Sequence, residues 1–103
     1  MGFTLNREPA PAGLQSLGGV VDLRELAYGA MRDTMAQSEH SGESGERLLG
    51  ACLYVDDQAI GYEGLRALPG RYAGGIAAAL EAVMRLHGLL RATDEPDEPG
   101  PNV

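Results

Sequence analysis

The chain has no lysine and no tryptophan, one phenylalanine (Phe3) and one cysteine (Cys52). Each shortage excludes something. A single cysteine forbids an intrachain disulfide and any multi-cysteine metal site. Set among apolar neighbours in LLGACLYV, Cys52 reads as a small buried hydrophobe. The eight basic residues are all arginine, so the glycine pair Gly74-Gly75 lacks the lysine a phosphate loop requires. Few aromatics and much glycine and alanine leave a thin core, and a chain of 103 residues is expected to be one small domain. Marginal stability, or stability drawn from a partner or from self-association, follows as an expectation.

Apolar runs are short too. None reaches the ~18 residues that a membrane-spanning helix needs, and no N-terminal stretch has a signal peptide's charged start and apolar centre. The expectation is a cytoplasmic protein without a membrane partner. The net charge is −7, and no basic face is visible, which argues against direct nucleic-acid binding. No HExxH, CxxC or GxGxxG pattern is present, and no nucleophile stands at a plausible spacing from a base. Catalytic, cofactor-binding and metal-ligating residues are therefore all expected to be none, and the chain is expected not to be an enzyme. His40, in the polar run SEHSGESG, reads as a solvated loop residue. Asp56-Asp57-Gln58 fails as a calcium loop, because Ile60 or Ala59 falls where an oxygen ligand is needed.

What the chain does have is helical periodicity. GRYAGGIAAALEAVMRLHGLL carries Tyr72, Ile76, Leu80, Val83 and Leu86 at three- and four-residue spacing, which predicts a helix over 70–87. Pro69 suits its first turn, Gly88 suits the left-handed residue after its end, and His87 suits its last carbonyls. Gly75, Ala78, Ala79 and Ala82 form a nearly bare surface on this helix, open to close approach by another helix of this chain or of a second copy. Asp22 and Glu25 stand at the capping-box spacing ahead of Leu23, Leu26, Ala27, Ala30, Met31, Thr34 and Met35, predicting a helix over 23–37. A helix over 45–55 would bury Leu48, Leu49, Cys52 and Val55, and a short one is expected over 62–68.

The fold class expected is all-α, a small bundle of three to four helices over residues 20–91. Residues 1–19, broken by Pro9, Pro11 and Gly13, read as an extended arm with one short strand near residues 2–6 and anchors at Leu14 and Leu17. Residues 92–103, ATDEPDEPGPNV, read as a disordered acidic tail. Met31, Met35 and Met84 offer adaptable apolar contacts. With Gly75, Ala78, Ala79 and Ala82 they make up the expected protein-interaction set.

In order along the chain, VVDLREL, the apolar segment closing on Val55-Asp56-Asp57, the Tyr62-Glu63-Gly64-Leu65 turn, Leu68-Pro69-Gly70-Arg71 and the closing Arg85-Leu86-His87-Gly88-Leu89 resemble the small tail assembly chaperones of long-tailed bacteriophages. The resemblance covers about residues 20–90. It implies a non-catalytic helical protein of the bacterial host cytoplasm that coats the tape-measure protein and helps recruit tail-tube subunits. Such a protein is absent from the mature particle, and a frameshifted longer form is known in the family. Two other readings stand beside it: a small acidic inhibitor that mimics nucleic acid against host CRISPR or restriction enzymes, and an unspecified helical interaction module. Against the mimic, residues 1–91 hold eleven acids to eight arginines, only mildly negative, while four acids fall in the tail.

Overall fold

The computed structural model describes residues 3–38 and 42–89. Its elements are β1 (Arg7–Pro9), a 3-10 segment (Ala12–Leu17), β2 (Val21–Arg24), α1 (Tyr28–Ala36), α2 (Glu43–Cys52), β3 (Leu53–Val55), β4 (Gln58–Ala59), α3 (Gly61–Arg66), a 3-10 turn (Gly70–Tyr72) and α4 (Ala73–Leu86). The strands form one antiparallel sheet in the order β1-β2-β3-β4. The domain is α+β, which corrects the expectation of an all-α bundle. His40 and the acidic tail expected over 92–103 lie outside the described residues.

The correction has a local cause at each strand. Val21 and Leu23 point inward while Asp22 and Arg24 point to the other face, the period-two alternation of a strand. Four residues are too few to separate that alternation from the first turn of a helix, so the helix expected over 23–37 begins only at Tyr28. Asp22 and Glu25 do not cap it. Asp22 pairs with Arg7, and the Glu25 carboxylate accepts the Asn6 N–H at 2.9 Å. The helix expected over 45–55 stops at Cys52, and Leu53–Val55 turns into β3. Asp56 (φ 52°) and Asp57 (φ 69°) are both left-handed, so the two-residue loop between Val55 and Gln58 has the positive-φ signature of a type I′ hairpin. The expected N-terminal strand lies at 7–9 rather than near 2–6. Pro9 is tolerated there because β1 is an edge.

Helices cover one face of the sheet. Val21, Leu23 and Leu53 from the strands meet Leu48, Leu49 and Cys52 from α2 and Ala79, Ala82 and Val83 from α4. Leu14 enters the same core fully buried, and the Gln15 side-chain amide bridges the carbonyls of Ala10 and Val21 at 2.8 and 3.3 Å. The 3-10 segment is thereby tied to both sheet and helices. Helix α4 closes with a Schellman pattern: Leu89 N–H reaches Met84 O and Gly88 N–H reaches Arg85 O, with Gly88 at φ 70°.

Candidate partner-binding grooves

Helix α1 places Tyr28, Met31 and Met35 at three- and four-residue spacing along one stripe. Met31 is buried in the core and Met35 packs against it half-buried. Tyr28, one turn toward the N-terminus, is 68% exposed, and Leu89, just beyond α4, is 41% exposed. With Arg32 and Ala36 they line an open groove of about 430 Å³. The Arg32 guanidinium donates to the Tyr28 hydroxyl at 2.9 Å and so sets a polar edge. A second groove of about 430 Å³ runs between the start of α2 (Ser44, Gly45) and one stripe of α4: Ala77, Leu80, Glu81 and Met84. A Cβ built at position 45 would lie 3.1 Å from the Leu80 Cδ1, so the two helices pack closely here.

The small-residue surface expected on α4 divides between two environments. Ala79 and Ala82 are buried at 0% and 7% exposure, and Gly75 abuts the Gly13 backbone and Leu14 at 3.0 Å from where a Cβ would sit. That face meets this chain's own 3-10 segment and core. Ala78 is exposed. Of the expected interaction set, Met31 and Met35 come together in one groove and Met84 lines the other. Tyr28 and Leu89 were not singled out from the sequence. Tyr28 was legible, since it continues the Met31–Met35 stripe one turn earlier. Leu89 was not, because its place beside α1 depends on how α4 ends.

His87 joins the end of α4 to the link between β2 and α1. Its Nε2 accepts the Leu26 N–H at 2.9 Å, and Nδ1 lies 2.9 Å from Val83 O. That geometry assigns the proton to Nδ1, because Nε2 must accept. The Cys52 Sγ lies 4.0 Å from Nε2. The pair is not arranged for nucleophilic chemistry. The Nε2 lone pair is already taken by a backbone N–H, Cys52 is fully buried, and burial pushes its thiol up to about 12. Here the imidazole works as a clamp between two backbone segments.

On the sheet's outer face, Asp22 is 5% exposed beneath Arg7 and Arg24, 2.7 and 3.4 Å from their guanidinium nitrogens. Arg24 also bonds Asp57 and lies over the Tyr54 ring at 4.2 Å. The hydrogen bond to Asp57, followed by the charges nearby, raises the already high guanidinium pKa. Two arginines against two aspartates leave this face without net charge, so it offers no field to a polyanion. Among the described residues no three His, Cys, Asp or Glu side chains converge as metal ligands, and no helix is long and apolar enough to cross a membrane.

Comparison with protein-family models, with curated proteins and with solved structures returned no match.

Proposed function

We propose that this chain is a non-catalytic assembly chaperone of the phage-tail kind. On this reading it works in the bacterial host cytoplasm, holds an apolar helical segment of a tape-measure protein, helps recruit tail-tube subunits and is left out of the finished particle. The observation that carries the reading is the groove where Tyr28 and Leu89 stand exposed beside the half-buried Met35, with the buried Met31 as its floor. An amphipathic helix presents apolar groups every three or four residues and fits such a groove. Thioethers adapt to successive side chains of a long, repetitive partner, as a chaperone of many sites requires. The all-helical fold that the resemblance implied does not support the reading, since the domain is α+β. What supports it is the motif order along the chain together with this groove.

The acidic-inhibitor reading is weaker on one specific ground. Asp22 and Asp57 are engaged by Arg24, Glu43 by Arg47, and Glu81 lies beside Arg85, so these acids are matched within the chain instead of being displayed as a spaced row.

The test is co-expression with the tape-measure and tail-tube proteins of the same phage, followed by size-exclusion chromatography with light scattering. The chain is expected to co-elute with the tape-measure protein. Tyr28→Ala and Met35→Ala are each expected to weaken capture about tenfold, equivalent to about 1.4 kcal/mol. Failure of the unaltered chain to retain either tail protein rejects the chaperone reading. Capture of a nuclease or restriction enzyme in its place favours the inhibitor.

A further inference from the structure

Of the sheet's two edge strands, β1 and β4, β1 is the longer and has exposed apolar residues ahead of it. The β1–β2 ladder uses Asn6 O and Ala10 N on the β2 side, in register with the Glu8–Leu23 pair. By the alternation of an antiparallel ladder, Arg7 and Pro9 turn their backbone groups outward. Leu5 and Phe3 do the same if the run is continued toward the N-terminus. Pro9 has no N–H, so it blunts the edge at its C-terminal end, a common protection against edge pairing. That protection stops at Arg7. Ahead of it stand Phe3 at 87% exposure and Leu5 at 51%, the only phenylalanine of the chain and a leucine, both outside the core.

We propose that this edge pairs with the same edge of a second copy, antiparallel, about a two-fold axis at Leu5, giving a continuous sheet across two chains. The register follows from the residues. With Leu5 opposite Leu5 of the second copy, Phe3 falls opposite Arg7 of the second copy, and Arg7 opposite its Phe3. Every outward N–H and C=O of Phe3, Leu5 and Arg7 then has a partner, and Pro9 lies beyond the paired run, where its missing donor costs nothing. On one face the two leucines meet at the axis, and each guanidinium lies across a phenylalanine ring, a pairing favourable within about 6 Å. Arg7 has room for this while bound to Asp22, because its side chain is 59% exposed. Moving the axis by two residues, so that Arg7 faces Arg7, sets like charges directly opposite and is disfavoured. The contact is isologous, so it closes at two chains and does not propagate. It uses a different part of the molecule from the α1 groove and does not depend on the chaperone reading.

The full-length chain tested by sedimentation velocity over micromolar to millimolar concentration is expected to shift from 10.8 kDa to twice that mass. Leu5→Glu places a carboxylate against its own copy on the axis and is expected to weaken self-association at least tenfold, with the far-UV circular dichroism and melting temperature unchanged. Leu5→Cys, treated with diamide as oxidant, is expected to give a disulfide-linked dimer, and Cys52 does not compete because it is buried. A chain that stays monomeric at the highest concentration overturns the proposal. So does a dimer that ignores Leu5→Glu and yields no cross-link through Leu5→Cys.

Discussion

At Gly50, α2 lies directly against the backbone at the start of α3, and a single methyl group there should separate them. It is buried in α2, and a Cβ built on it would lie 2.6 Å from the Gly61 carbonyl carbon, 2.7 Å from its oxygen and 2.7 Å from Tyr62 N. Carbon atoms in good contact sit ~3.5–4.0 Å apart, so α3 must retreat by about 1 Å. The obstructing atoms are backbone, and no rotamer change relieves them. Gly61 is also held at φ 77°, at the entry to α3, which limits how that turn can yield. Overpacking of this sort costs about 1–3 kcal/mol. Replacing glycine by alanine inside a helix returns about 1 kcal/mol of that. A net loss of up to about 2 kcal/mol is expected for Gly50→Ala, a fall of up to roughly 16 °C in melting temperature for a domain of this size. Gly74→Ala in α4 is the control, because a Cβ there meets nothing within 4 Å. It should stabilise by about 0.5–1 kcal/mol. Both are read by thermal circular dichroism and urea unfolding. If Gly50→Ala raises the melting temperature as Gly74→Ala does, the close crossing of α2 and α3 is wrong.

Other consequences are equally direct. His87→Ala removes the acceptor of Leu26 N–H and a donor to Val83 O. At about 0.5–1.5 kcal/mol for each hydrogen bond, it should destabilise by about 1–3 kcal/mol, measured by urea unfolding; a loss under 0.5 kcal/mol would mean that the clamp is idle. Cys52 should react with iodoacetamide at pH 8 far more slowly in the folded chain than in urea, since burial raises its pKa from 9.0 to about 12. The linkage has a definite sign. The folded state keeps the proton longer than the unfolded one, so this thiol's contribution to stability is intact below pH 9 and is lost as pH rises toward 12. Equal labelling rates in the folded and urea-unfolded chain would show that Cys52 is open to solvent. Leu14→Ala, in a fully buried side chain of the 3-10 segment, should cost about 2–5 kcal/mol, and a loss near zero would leave that segment outside the core.

Features with a local cause are legible in the residues alone. Helix α4 is written in the spacing of its large apolar residues, and its end in Gly88, because only a left-handed residue closes a Schellman turn there. Cys52 reads as buried from its apolar neighbours alone. The methionines read as adaptable contacts because their side-chain chemistry is independent of fold. Tertiary structure decided the sheet. Val21 pairs with Val55 and Leu23 with Leu53 across some thirty residues of chain, and no window around either segment holds both partners. Without its partner, VDLR presents a helical start as readily as a strand, and LYV continues α2 as readily as it leaves it. Tertiary structure likewise turned Gly75, Ala79 and Ala82 inward and left Ala78 outside, and the neighbour that needs the space at Gly75, Gly13-Leu14, belongs to a segment whose own pattern is broken by proline and glycine. It also gave His87 its partner, since Leu26 N–H reaches the imidazole only after β2 has directed the chain across the end of α4.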